Sequence, residues 1–214
     1  MRVRVVLGVA LALVALAVVV ALSQGGDRRA GTNLVPVAGT PVELRGGGRA
    51  CQLTRLLDDA QRVELFVDAG GGRVPALAVS FADADGATVA SGERPAGAPG
   101  GNVVVPLDRR VDGNRPSTRF CVRNEGTRRI ALGGAPTPPD AAATVAGRPA
   151  GGVIAVTYLR PGRETWWQLL PTISTRFGVG KAPVFGAWTL PVAALLLLGA
   201  WAGAVRLLLR GSRT

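Results

Sequence analysis

The sequence predicts an all-β extracytoplasmic domain, an antiparallel β-sandwich of jelly-roll or immunoglobulin-like topology, flanked by transmembrane α-helices. Three observations predict it. Between residues 51 and 160 apolar side chains recur at alternate positions in short runs separated by turn residues, which is the period of a half-buried strand. Two stretches, Val5 to Leu22 and Val184 to Val205, carry no charged residue and are mostly aliphatic. The only two cysteines, Cys51 and Cys121, both fall between those stretches.

Residues 1–23 combine a basic start, Arg2 and Arg4, with the first apolar run. That layout describes an uncleaved signal anchor and a cleaved signal peptide alike. The run is longer than the usual core of a cleaved signal, yet Ala21-Leu22-Ser23 offers a small-x-small cleavage site, so both readings stand. Either way Arg2 and Arg4 are expected in the cytoplasm and the middle of the chain outside it. Residues 24–50 are rich in Gly with scattered Pro and predict a linker with one edge strand near Val42 to Leu44.

Past Cys51 the strands follow in turn. Val63, Leu65 and Val67 alternate with Glu64, Phe66 and Asp68; Leu77, Val79 and Phe81 come next, and Asp83 to Gly86 forms a hairpin signal before Val89. Val103 to Leu107, Phe120 with Val122, Ile130 with Leu132, and a final strand Val153 to Leu159 complete seven or eight strands. No Trp lies between the cysteines, which weakens the immunoglobulin version. Cys121 shares parity with Arg119 and Arg123, so a disulfide there belongs on the polar face of its strand. Residues 133–152 read as a long surface loop.

Residues 161–183 form a Trp-rich, membrane-proximal segment. Trp166, Leu170, Ile173 and Phe177 recur at helical spacing, while Pro171 predicts two short pieces in place of one helix. Trp166, Trp167, Trp188 and Trp201 suit a membrane interface, where an apolar ring and a polar N–H are both satisfied. Residues 184–205 are long enough, at 1.5 Å per residue, to span about 30 Å of hydrocarbon. The tail 206–214 carries Arg206, Arg210 and Arg213, which predicts a cytoplasmic C-terminus.

Composition narrows the chemistry. The chain has no histidine, which removes the commonest general base and the Ser-His and Cys-His systems. With two cysteines and no histidine, a tetrahedral zinc shell is not available from those residue types; the expectation is no metal and no cofactor. Asp58 with Asp59, and Asp83 with Asp85, are carboxylate pairs by proximity only. Leu170 to Ser174 resembles the layout of a sortase sorting signal, but Ile173 and Ser174 stand where that family has Thr and Gly. Of 25 basic residues all but Lys181 are arginine, as GC-rich bacterial coding would give.

The net charge is +11, but an exported location excludes nucleic acid as the expected partner. Arg109, Arg110, Arg115, Arg119, Arg123, Arg128 and Arg129 cluster within one short stretch and form a candidate patch for an anionic ligand, because guanidinium binds phosphate and carboxylate as a fork. The expectation is a non-enzymatic accessory or binding module of the bacterial cell envelope, in contact with the lipid bilayer and with an envelope glycan or anionic polymer. The alternatives are a structural subunit docked to a membrane protein partner and a carboxylate-dependent glycan enzyme.

Overall fold

The computed structural model describes residues 2–177 and, beyond them, positions 192, 195, 196, 198, 199, 201–203 and 206. The chain divides into two compact units, residues 27–162 and residues 1–26 with 163–214. Helix α1 is Arg2–Ser23. The strands follow as β1 (Gly25–Thr32), β2 (Gly39–Leu44), β3 (Arg49–Leu56), β4 (Arg62–Asp68), β5 (Arg73–Val74), β6 (Leu77–Ala82), β7 (Thr88–Arg94), β8 (Ala98–Pro99) and β9 (Gly101–Pro106). They continue with β10 (Arg115–Asn124), β11 (Ile130–Pro136), β12 (Thr144–Val145), β13 (Arg148–Pro149), β14 (Gly152–Ile154) and β15 (Thr157–Thr165), before helix α2 (Trp166–Phe177).

Two antiparallel sheets dominate. The first runs β1-β15-β4-β11-β14, with β2 also paired to β11 and β9 to β4; the second runs β13-β12-β3-β10-β6-β7. The alternation in the sequence is what builds them: Val63, Leu65 and Val67 of β4 are buried while Glu64 and Phe66 are half-buried and Asp68 is exposed. Inward residues of both sheets form one core. Phe81 of β6 stacks at 4.8 Å on Phe120 of β10 and lies 6.2 Å from the ring of Tyr158, which comes from the first sheet.

Four expectations need correction. Residues 24–50 hold the expected edge strand, β2, with Val42 and Leu44 fully buried, but also an unexpected one, β1, so the segment is more than a linker. Residues 133–152 are not one surface loop: β11 extends to Pro136, and β12 and β13 form a hairpin that adds to the edge of the second sheet. Its turn, Ala146-Gly147, has positive φ at both positions (50° and 77°), the arrangement of a tight hairpin turn. The expected final strand, Val153 to Leu159, is broken. β4 and β11 pair at Val67/Leu132 and Asp68/Ala131, then part, with β14 continuing along β11 and β15 along β4.

The fourth correction concerns α2, which continues through Pro171 as a single helix. A helical proline removes one backbone bond, and a strong start offsets part of that loss. Thr165 and Gln168 form a capping box, in which the Thr165 N–H donates to Gln168 Oε1 at 2.9 Å and the Gln168 N–H donates to Thr165 Oγ1 at 3.4 Å.

The expected spans fare differently. The side chains of α1 are described without a gap only from residue 13 onward, and among the described residues no helix is long and apolar enough to cross a membrane. Most of 184–205, together with Trp188, Lys181, Arg210 and Arg213, lies outside the described residues, as do the side chains of Arg2 and Arg4.

Candidate functional site

The outer face of the second sheet is set by parity. In β3 the residues Ala50, Gln52, Thr54 and Leu56 are buried, which turns Arg49, Cys51, Leu53 and Arg55 outward. In β10 Phe120 and Val122 point into the core, so Arg119, Cys121 and Arg123 share the outer side. Register then assembles a grid. Arg123 stands opposite Arg49 on one side and Ala78 on the other; Cys121 stands opposite Cys51 and Ser80; Arg119 stands opposite Leu53 and Ala82.

Cys51 and Cys121 are joined as a disulfide, with Cα atoms 4.1 Å apart, at the centre of this grid. The bond therefore staples two neighbouring strands on the polar face, with an arginine two residues away in each direction along β10. On β6 the outward residues are small, Ala78, Ser80 and Ala82, which leaves open space beside the guanidinium stems. One shallow hollow results, of about 450 Å³ beside Arg49, Arg123 and Glu125; another, of about 620 Å³, lies on the β3 side beside Arg119, Leu53 and Asp140.

The seven arginines singled out in sequence do not make one patch. Arg109 pairs with Asp108 at 3.3 Å, Arg110 with Asp59, and Arg129 with Glu43 at 3.4 Å. Arg128 lies over Gly72, and Arg115 stands at the irregular start of β10. Only Arg119 and Arg123 share the face, the latter with Glu125 at 3.3 Å. Sequence reasoning missed Arg49 and Arg55. The signal was present, since both share the parity of Cys51 in "RACQLTR".

Asp58, Asp59 and Asp83, three of the four paired carboxylates, are engaged in building the fold. Asp58 Oδ1 accepts the Gly113 N–H at 2.7 Å. Asp59 lies between Arg110 and Arg160, the latter at 3.5 Å. Asp83 Oδ1 accepts the Ala87 N–H at 2.9 Å across the hairpin turn. Asp108 accepts the Ser91 N–H at 2.9 Å, and this bond, followed by Arg109, holds its carboxyl below the usual range against the opposing effect of desolvation. Among the described residues no group of three His, Cys, Asp or Glu side chains could hold a metal ion.

Trp166 and Trp167 occupy the first turn of α2, both about half exposed (53% and 47%), and Trp201 is 49% exposed. Fold and face together define a disulfide-stapled antiparallel β-sandwich with a basic outer sheet. No protein-family model matches the chain, and no curated protein is similar to it at a significant level.

Proposed function

We propose that this chain is a membrane-anchored, extracytoplasmic, non-enzymatic binding module of the cell envelope, and that the outer face of the second sheet holds an anionic polymer. The observation that carries the reading is Arg49 directly opposite Arg123. Like charges facing each other across strands destabilise a sheet, and Glu125 neutralises only one of them. Phosphate or carboxylate groups from a ligand would remove that repulsion through charge-assisted forks. A neutral sugar finds no platform on this grid, because no aromatic side chain belongs to it.

Export is supported by the disulfide, which suits an oxidising compartment. Anchoring is supported by the sequence of α1, whose 22 residues would reach about 33 Å as a helix. Its described side chains Val6, Val9, Leu13, Val14 and Leu16 are all more than half exposed, and a helix apolar on every side requires an apolar cover. A second reading, a subunit of a membrane complex, is favoured by the exposed Trp166 and Trp167. The glycan-enzyme reading is weakened by the ties on Asp58 and Asp59.

The test is binding of the detergent-solubilised chain to immobilised polyphosphate and to uncharged dextran at several salt concentrations. Saturable binding to polyphosphate alone, weakening with salt and falling about tenfold in Arg49→Gln/Arg123→Gln, supports the reading. Background binding to both polymers at low salt overturns it.

A further inference from the structure

We propose a second binding site, for a sugar residue that bears a carboxylate, on the outer face of the first sheet at Phe66. The inference rests on the reading of the domain as an envelope-binding module but uses none of the arginine-grid residues. Phe66 differs from the other aromatic residues of 27–162: Phe81, Phe120 and Tyr158 are fully buried, whereas Phe66 is half-buried on the outward side of β4. A Cβ at Gly133 would stand 2.6 Å from Phe66 Cβ and 2.9 Å from its Cδ1. Glycine at that position is what lets the ring lie down on the neighbouring strand.

The ring forms one wall of an open cleft of about 720 Å³ that continues over Asp68, Gly72, Arg73 and Gly100. A pyranose ring matches such a wall, because its C–H face is apolar and its edge carries hydroxyls. Polar groups stand around the ring. Asp68 Oδ1 accepts the Gly70 N–H at 2.8 Å, which orients a carboxylate that retains further acceptor capacity for sugar hydroxyls. Arg73 Nη1 donates to Gly97 O at 2.6 Å, fixing one guanidinium at the rim. Arg73 is thus the guanidinium that lines the cleft, and guanidinium pairs best with a planar anion. The ligand class is therefore a uronic-type sugar.

The experiment is surface plasmon resonance of the full chain, in a detergent whose headgroup is not a sugar, with an oligoglucuronate and an uncharged gluco-oligosaccharide of equal length. The wild type is expected to prefer the glucuronate. Phe66→Leu keeps an apolar side chain over Gly133 but removes the flat ring, and should weaken binding about tenfold; Arg73→Gln should bring the two affinities towards parity. Arg49→Gln/Arg123→Gln should bind the glucuronate as the wild type does. Absence of saturable binding by the wild type, equal affinity for both sugars, or full binding by Phe66→Leu would each overturn the site. Loss of glucuronate binding in the Arg49/Arg123 variant with Phe66→Leu unaffected would assign the ligand to the arginine grid, leaving the proposed function standing without this cleft.

Discussion

Gln52 holds Ile154 by both of its backbone groups: Gln52 Nε2 donates to Ile154 O at 2.9 Å and Gln52 Oε1 accepts the Ile154 N–H at 2.7 Å. The two residues belong to different sheets. Ile154 ends β14 where the first sheet divides, so the strand on one side of it has stopped and a side-chain amide from the facing sheet takes its place. Asn33 completes the junction, donating from Nδ2 to Ile154 O at 2.8 Å and accepting the Val156 N–H at 3.1 Å. Gln52→Leu would leave the buried Ile154 N–H unpaired, while Ile154 O keeps its bond from Asn33 Nδ2. The expected loss is about 2 kcal/mol in a denaturant titration; an unchanged midpoint would mean that the amide bonds do not hold the sheets together.

Tyr158 gives the fold a pH limit at the alkaline end. Burial pushes its phenol up to about 12, although the Thr54 hydroxyl works the other way, and its hydroxyl donates to Arg55 O at 2.5 Å. The unfolded phenol releases its proton near pH 10 while the folded one keeps it, so this contribution to stability is complete below about pH 10 and is lost as pH rises towards 12. Two pH units correspond to about 3 kcal/mol. The chain has one tyrosine, so tyrosinate absorbance reports this group alone. Ionisation and unfolding should coincide in the wild type, and Tyr158→Phe should flatten the alkaline slope; free ionisation of the intact fold near pH 10 would contradict the burial argument.

The disulfide should contribute stability without shaping the face. Cys51 and Cys121 are 70 positions apart, and closing such a loop stabilises by about 4 kcal/mol in the chain-entropy model. The strands it joins are already paired along seven register positions. Cys51→Ser/Cys121→Ser should thus unfold at a lower denaturant concentration yet keep its affinity for polyphosphate in the folded range. Loss of binding before loss of fold would show that the staple positions Arg119 and Arg123 directly.

Arg49 and Arg123 set stability against function. Replacing either by Gln removes a like-charge pair and is expected to raise stability by a few tenths of a kcal/mol, up to about 1 kcal/mol, while lowering polyphosphate affinity. A solvated face without a ligand would show the stability gain alone. Measuring the unfolding midpoint and the polymer affinity of the same variants separates the two.

The strands of the sandwich were legible because alternation repeats over several residues: "RVELFVD" and "LAVSFA" put Val63, Leu65, Val67, Leu77, Val79 and Phe81 in the core as read. What escaped has a physical cause in each case. β1, "GGDRRAGT", carries little apolar alternation and is a strand through its pairing with β15. The division at Ala155-Val156 occurs in an apolar run with no Gly or Pro to mark it, and is satisfied by Asn33 and Gln52 from distant parts of the chain. The arginine cluster misled because nearness in sequence is not nearness on a sheet: Arg119 lies beside Leu53, whereas Arg129 reaches Glu43 of the other sheet. Pro171 taken alone predicts a break, but the capping box in "TWWQ" supports the helix start.

That capping box makes the Trp pair testable. Thr165 and Gln168 fix the first turn of α2 and so fix Trp166 and Trp167, whose side chains are about 100° apart around a helix. An interfacial anchor predicts that both rings lie at the depth of lipid headgroups. In the Trp188→Phe/Trp201→Phe background, reconstituted in vesicles, their fluorescence should be quenched by lipids brominated near the headgroup and only weakly by aqueous iodide. Thr165→Ala should loosen the turn at a cost of about 1 kcal/mol and shift emission towards that of water-exposed indole. If iodide quenches freely in the vesicles, while Trp166→Ala/Trp167→Ala releases a protein that co-purifies from native membranes, the pair is a docking face and the complex-subunit reading takes the place of the anchor.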